Sequence, residues 1–393
     1  MTTSPEPSEP AAEAGDSARR EPGAARPSRR RRIVVIAATV AVAAGAVVAA
    51  VQLSPEDQPL PSAAAVTSSA SPSPSPAPPP PQEAPKAPPQ APSEFDAWVS
   101  RTSQWLDIPL RAMTGYAKAT VTLGKETPGC HLSWVTLAAL GKVTSDHGRA
   151  KGGTIGADGT MSAPIGTIDV RDFYDRVVST ANASGPMQLS PAVWGRWQRS
   201  AAGGTPNTQN IDDAALTTGR ALCAEGRDLS QGQTWWNAVG SVQAAPLYLH
   251  RTLATVNVYG TVGQQDKAPN PAVLSAVNFA IDKIGLPYVW GGNGTGGRDP
   301  GFDCSGLTTA AYGSAGIKLM RTADTQYRSV KRVDEPALGD LIFYGSPGTE
   351  IHHVGLYIGN QQMIDAPTEG QAVQVHPYRK PGDDYAGAGR PTA

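Results

Sequence analysis

The chain has little net charge, few cysteines and no internal repeat. Its 393 residues include 33 Lys and Arg against 34 Asp and Glu, which gives a net charge of −1. This balance argues against nucleic acid as the main partner. Three cysteines cannot all pair within one chain. The length leaves room for two ordinary domains plus attachments.

Charge is also absent from residues 33–53, a run of 21 mostly apolar residues that follows the arginine block 29–32. Such a run is long enough to cross a bilayer, and arginines on its N-terminal side place residues 1–32 in the cytoplasm. We therefore predict a transmembrane helix or signal anchor at the cell membrane. A cleaved signal peptide is the alternative, because Ala44 and Ala46 offer a cleavage site. In both cases the rest of the chain is exported or secreted.

Residues 54–93 lack the apolar side chains that a core needs and are rich in Pro, Ser and Ala. Prolines stiffen such a segment toward polyproline II, so we predict a disordered linker. At ~3.1 Å per residue it would hold a domain on the order of 100 Å from the membrane, a distance suited to work in a cell wall.

An exported chain favours disulfides. Cys130 and Cys223 both lie in residues 94–260, whereas Cys304 lies beyond a break near residue 265. The economical interpretation pairs Cys130 with Cys223 and leaves Cys304 as a free thiol. The alternative for Cys304 is an inert buried residue, since free cysteine packs as a small hydrophobe.

The sequence around Cys304 predicts a reactive position. A helix is expected over 271–284, followed by a short aromatic strand in "LPYVW" and a glycine-rich loop. A second helix is expected from Cys304 to Gly316, capped by Asp303. Unpaired N–H groups and the helix dipole stabilise a thiolate in a first helical turn, which makes a cysteine nucleophilic.

The same loop matches G-x-G-x-x-G through Gly292, Gly294 and Gly297. We discount a dinucleotide site, because the predicted order is helix, strand, loop rather than the opening of a βαβ unit.

A nucleophilic cysteine needs a base, and "EIHHVGLYIG" at 350–359 places two histidines on a predicted strand. Alternation puts His352 on the apolar face, with a supporting or packing role, and His353 on a face whose glycines leave space for a substrate. His353 is therefore the expected base. Asp365, twelve residues on in a predicted hairpin partner, is the candidate that orients its imidazole.

In order and spacing, "GLPYVWGG", "GFDCSGL", "ALGDLIFYG", "HHVGLYIG" and "MIDAP" resemble the NlpC family of cell-wall cysteine peptidases. "RTADTQYR" resembles the segment R-[ST]-x-x-x-Q of the same family. The resemblance implies a papain-like α+β domain over 268–393. It also implies cleavage of peptidoglycan stem peptides, typically between γ-D-glutamate and a diamino acid, with no cofactor and no metal.

Residue roles follow from this resemblance. Cys304 is expected to be the nucleophile, His353 the base and Asp365 the orienting residue. Tyr288 matches the family tyrosine that helps bind the oxyanion, and we assign Trp290 to substrate binding.

Residues 94–260 predict an all-α domain with several capping positions and clustered tryptophans, which in a helical domain are more often core than sugar platforms. Its segments resemble lysozyme-like lytic transglycosylases, which cut glycan with one glutamate. Thr144 stands where that glutamate is expected, and threonine cannot protonate a glycosidic oxygen. "GPMQL" is retained, so the resemblance implies substrate binding by Met187 and Gln188 in an inactive, glycan-binding domain. Residual activity through a substitute acid is the alternative.

Together these features predict a multidomain, membrane-tethered peptidoglycan hydrolase with endopeptidase activity. The alternative is a non-catalytic peptidoglycan-binding scaffold in an envelope secretion or conjugation machine, with protein partners there. The intact Cys304, His353 and Asp365 favour the enzyme.

Overall fold

The computed structural model describes residues 93–171, 176–179, 182–294 and 300–392. The predicted tail 1–32, the predicted span 33–53 and nearly all of the linker 54–93 lie outside these residues. Among the residues that are described, no helix has the length and apolar character needed to cross a bilayer.

The first part of the described chain is helical. Its helices are α1 (Glu94–Leu106), α2 (Leu110–Glu126), α3 (Trp134–Ser145), α4 (Pro191–Trp197), α5 (Ile211–Leu222), α6 (Gly232–Val242) and α7 (Pro246–Gly263). Short 3-10 turns lie at Pro128–Cys130, Ala150–Gly152 and Ala224–Gly226, and two short strands, β1 (Val170–Arg171) and β2 (Val177–Ser179), pair antiparallel. The sequence gives clear starts: Ser93 caps α1, Ser190 caps α4 and Asn210 caps α5 through side-chain bonds to backbone N–H groups.

The core of this helical part contains a fully buried histidine. His147 lies between the hydroxyls of Tyr116, at 3.2 Å, and Tyr259, at 3.1 Å. Burial lowers the pKa of His147 to about 3, so its imidazole is neutral. In the same helical part, Cys130 and Cys223 form a disulfide that joins the segment before α3 to the end of α5.

The second part combines three helices with one sheet. The helices are α8 (Pro271–Asp282), α9 (Cys304–Ser314) and α10 (Ala323–Ser329). The strands are β3 (Lys331–Val333), β4 (Leu341–Ser346), β5 (Glu350–Gly359), β6 (Gln362–Asp365), β7 (Gln374–Pro377) and β8 (Tyr385–Arg390), in the antiparallel order β3-β8-β4-β5-β6-β7. The expected strand in "LPYVW" forms only isolated bridges at Pro287 and Tyr288, because its partners are loop residues rather than a neighbouring strand.

Helix α7 connects the two parts, which pack as one compact unit. Arg251 donates to the carbonyls of Asp282 and Ile284 at the end of α8. Asn257 accepts a 3.0 Å bond from Asn360, in the turn between β5 and β6. The helical part therefore supports the tip of the hairpin formed by these two strands.

Gly359, at the end of β5, has φ +89°, and a Cβ there would lie 1.9 Å from Oγ1 of Thr261 on α7. We expect Gly359→Ala to lower the free energy of unfolding by about 2 kcal/mol or more, because it adds a clash to a strained backbone. Denaturant unfolding measures the loss. Gly370→Ala is the matched control, since Gly370 has φ +79° and open space around it. Equal losses in both variants would contradict the close packing of this hairpin on α7.

Candidate active site

Cys304 is the first residue of α9, as the capping pattern predicts. The carboxylate of Asp303 caps the helix by accepting from the Gly306 N–H at 2.5 Å. Cys304 is buried but borders a cleft of about 1020 Å³. It is the free cysteine of the described chain. The thiol therefore lies in the first turn of α9, at the positive end of the helix dipole and at the border of the cleft.

Arg321 balances the charge of Asp303 next to the thiol. Its two terminal nitrogens donate to the two carboxylate oxygens of Asp303, at 3.0 and 2.7 Å. One of them also donates to Ser305 Oγ and the other to the carbonyl of Gly292. Arg321 thus joins the glycine-rich loop to the start of α9 and prevents Asp303 from opposing a thiolate by charge. Of the G-x-G-x-x-G match, Gly297 lies outside the described residues, and the match opens no βαβ unit.

Gln326, the glutamine of the segment "RTADTQYR", is fully buried. Its amide nitrogen donates to the carbonyls of Ser305 and Met320, and its oxygen accepts from Thr308. The hydrogen bonds of Gln326 therefore connect α10 to the first turns of α9.

His353 lies on β5 between a carboxylate and the thiol. Its Nε2 is 2.6 Å from Oδ2 of Asp365, which lies on the adjacent strand β6. Burial disfavours the imidazolium, but hydrogen bonds to Asp365 and to Cys304 outweigh burial and raise the pKa of His353 to about 10. The three predicted residues thus lie in one chain of contacts, with an imidazolium between two acidic groups.

Asp365 has a second imidazole partner that the sequence did not reveal. Nε2 of His376, on β7, lies 2.8 Å from Oδ1 of Asp365. Burial alone raises the pKa of a carboxyl, but the bonds from His353 and His376 hold the pKa of Asp365 below its usual value. Asp365 is only 1% exposed, and a buried carboxylate needs hydrogen-bond donors. The two histidines supply one donor to each of its oxygens. Nothing in "QVHP" marks this histidine until β7 is known to pair with β6.

The expectation that His352 lies on the apolar face and packs there is wrong. Between Tyr344 and Gly345 the register with β5 shifts, so that Tyr344 opposes His353 and Gly345 opposes Ile351. His352 is the extra residue of this bulge, so its side chain does not follow the alternation and does not lie on the apolar face. Its side chain is exposed and pairs with Asp384 at 2.6 Å.

Tyr288 and Trp290 both border the cleft that contains Cys304. Burial, and then the charge of Cys304, raises the pKa of Tyr288, which keeps its hydroxyl protonated as a hydrogen-bond donor. Trp290 is 82% exposed, so its ring is available to a ligand at the rim. Every residue that lines this cleft belongs to the second part of the chain, and no described residue of α1–α7 covers it.

The predicted binding residues of the helical part are buried. Met187 is in the core, and the amide of Gln188 bonds the backbone of Gly166, Ile168 and Gly185. The placement gives Gln188 a structural role, because its donors and acceptor are used to hold a loop together. This corrects the expectation that Met187 and Gln188 contact glycan.

Thr144 is 3% exposed and donates to the carbonyl of Leu140. Asp146, the nearest carboxylate in sequence, is paired with Lys142 and Arg149. Thr144 is not an acid, and the partly exposed carboxylate of Asp146 is engaged by these two cations. Among the described residues no cluster of three or more His, Cys, Asp and Glu is arranged to hold a metal ion.

Comparison with known proteins places the similarity in the second part of the chain. Residues 285–386 match the NlpC/P60 family model. The gamma-D-glutamyl-L-lysine dipeptidyl-peptidase of Bacillus cereus is 40% identical over 132 residues, which are 32% of this chain and 38% of that protein. Peptidoglycan endopeptidase RipB of Mycobacterium tuberculosis is 37% identical over 131 residues, 30% of this chain and 54% of RipB.

A crystal structure of an NlpC/P60 family protein from Bacillus cereus is 39% identical and covers 31% of this chain and 41% of that one, with a TM-score of 0.28. The chain therefore spans 38% to 54% of the length of the two curated relatives described here.

Proposed function

Because residues 285–386 form an NlpC/P60 domain, we propose that this chain is a peptidoglycan endopeptidase with Cys304 as its nucleophile. The observation that carries the proposal is the buried contact chain from Cys304 through His353 to Asp365, beside an open cleft. A nucleophile, a base and an orienting group in contact are what covalent amide hydrolysis requires.

The reaction proceeds in two steps. The Cys304 sulfur attacks the carbonyl carbon of a stem-peptide amide, and the oxyanion accepts hydrogen bonds from the Tyr288 hydroxyl and backbone N–H groups at the start of α9. The His353 imidazolium gives its proton to the leaving amine as the C–N bond breaks, which leaves a thioester. Neutral His353 then takes a proton from water, and the hydroxide releases the acid and restores the thiolate.

The substrate bond that we propose is the amide between γ-D-glutamate and the diamino acid of the stem peptide. The name of the Bacillus cereus relative, a gamma-D-glutamyl-L-lysine dipeptidyl-peptidase, supports this choice. The exposed Trp290 ring at the rim offers an apolar surface for the peptide.

The proposal for the helical part is a lysozyme-like domain that no longer cleaves glycan and that holds peptidoglycan near the peptidase. The buried Thr144 and the paired Asp146 support loss of the acid. We also propose that residues 33–53 tether the chain to the cell membrane, with both folded parts outside the cytoplasm. The arginine block and the uncharged run that follows it support this orientation.

The test incubates the full chain, and its Cys304→Ala variant, with purified peptidoglycan and identifies the soluble fragments by mass spectrometry. We expect new peptide amines and carboxylates with the unmodified chain and none with Cys304→Ala, while both unfold at the same temperature. No peptide cleavage by either protein, across walls with different diamino acids, would contradict the peptidase. Anhydro-sugar products would contradict the inactive helical part.

A further inference from the structure

His376 has an acceptor at each of its ring nitrogens. Nε2 faces Oδ1 of Asp365 at 2.8 Å, and Nδ1 faces the carbonyl oxygen of Pro377 at 3.1 Å. A carbonyl oxygen only accepts, so Nδ1 must carry a proton. The carboxylate of Asp365 is ionised and accepts as well, so Nε2 also carries one. The geometry therefore satisfies His376 best when it is an imidazolium.

This cation completes a charge-balanced cluster. A Cys304 thiolate with a His353 imidazolium is neutral as a pair, and an ionised Asp365 with a His376 imidazolium is neutral as a second pair. Without His376, a carboxylate that is 1% exposed would have only one counter-charge for itself and the thiolate. Burying an unbalanced charge is costly, so His376 stabilises the arrangement.

We propose that His376 is a positioning residue for the peptidase reaction, where it holds the second oxygen of Asp365 and balances its charge so that His353 remains an effective proton donor. The inference rests on the proposed roles of Cys304 and His353. The half-buried side chain of His376 also borders the cleft, so solvent can exchange its proton during the reaction.

The groups that face His376 set the direction of its effect. Asp365 on β6 attracts its charge and raises the pKa of His376 against the opposing effect of burial, and His353 on β5 repels it. Lys380 and Asp383 lie beyond β7 in the same cleft, where Asp383 is bonded to Arg379 and to the Lys380 N–H. Removing the His376 cation therefore relieves repulsion on the His353 imidazolium and frees Asp365 to hold it more strongly. Both changes make His353 less willing to release its proton.

The experiment uses the full chain with His376→Gln, which keeps a donor without charge, and His376→Lys, which keeps a charge. Cleavage of a soluble stem peptide is measured from acid to alkaline pH to obtain kcat and KM. Iodoacetamide alkylation of Cys304 over the same range gives a readout that needs no peptidase activity. For His376→Gln we expect kcat to fall about tenfold with little change in KM. The alkaline limb of each profile is the change in cleavage or alkylation rate as His353 loses its proton, and we expect it to move to higher pH in this variant. We expect His376→Lys to restore the unmodified limb.

A matched control is His131→Gln. His131 pairs with Asp228 at 2.7 Å on the surface of the helical part, far in the chain from the cleft, and its loss should move neither profile. Coincident alkaline limbs for His376→Gln and the unmodified chain would overturn the inference, even if His376→Gln melts at a lower temperature. If the unmodified chain cleaves no peptide, the proposed function fails, while the alkylation profiles still decide the role of His376.

Discussion

Asp365→Asn is expected to lower kcat by about 10⁴, the scale seen when the carboxylate of a catalytic triad becomes an amide. Asp365 accepts from His353 on one oxygen and from His376 on the other. An asparagine has one acceptor oxygen and one NH2 donor, so only one of the two imidazoles can keep a protonated nitrogen toward it, and the other must face the NH2 group as a neutral acceptor. Both the orientation and the charge of His353 are lost together.

The same variant should also move the pH profile. Asp365 contributes the hydrogen bond and the charge that oppose burial and hold the pKa of His353 at about 10. Without them burial dominates and the pKa falls, so the alkaline limb of kcat/KM moves to lower pH. This shift is opposite in direction to the one expected for His376→Gln. The two variants therefore separate loss of the carboxylate from loss of its second counter-charge.

Stability should follow the same ionisations. A histidine whose pKa rises from 6.5 to about 10 on folding contributes stability that is complete below pH 6.5 and is lost as pH rises through about 10. Unfolding of the unmodified chain and of Asp365→Asn across this window measures the contribution. We expect the free energy of unfolding to fall less in Asp365→Asn than in the unmodified chain as pH rises through this window. An unchanged alkaline limb together with an unchanged alkaline loss would contradict the role assigned to Asp365.

The residues predicted from local patterns are where the structure places them. Asp303 caps α9, because a short polar side chain before an apolar helical run leaves few other starts. His353 and Asp365 are neighbours because the intervening residues turn once and pair β5 with β6. Hairpin spacing is local information, so the sequence is sufficient for it.

Features that depend on distant segments were not predictable in the same way. His376 reaches Asp365 only because β7 returns beside β6 after a loop whose path no local pattern specifies. The turned-out His352 depends on a bulge whose partner strand is β4. The expectation for Met187 and Gln188 came from a retained motif, and a motif does not say whether its side chains are at the surface or hold a loop.

The helical part has a second role that its sequence did not suggest. Through Asn257 and Thr261, α7 packs on the hairpin tip that follows His353 and precedes Asp365. The cleft itself remains uncovered by α1–α7 among the described residues. The helical part, which has Thr144 where the acid was expected, thus supports the strands that carry His353 and Asp365.

Loss of the disulfide between Cys130 and Cys223 should reduce the free energy of unfolding by about 4 kcal/mol, because the bond closes a loop of 93 residues. In the chain-entropy account this crosslink restricts the unfolded chain, so its removal should also raise the denaturant m-value. The double variant Cys130→Ala with Cys223→Ala tests this without adding polar groups to buried positions.

Both arms of this measurement carry Cys304→Ala, so that no free thiol can exchange with the disulfide during unfolding. Tryptophan fluorescence reports on the relevant part, because seven of the eight tryptophans lie between residues 98 and 236. A loss below about 1 kcal/mol with an unchanged m-value would mean that packing of α2 and α5 already restricts this loop. A loss of about 4 kcal/mol would instead mean that the helical part, and the hairpin that packs on α7, depend on an oxidising compartment. The uncharged run at 33–53 is proposed to deliver them to such a compartment.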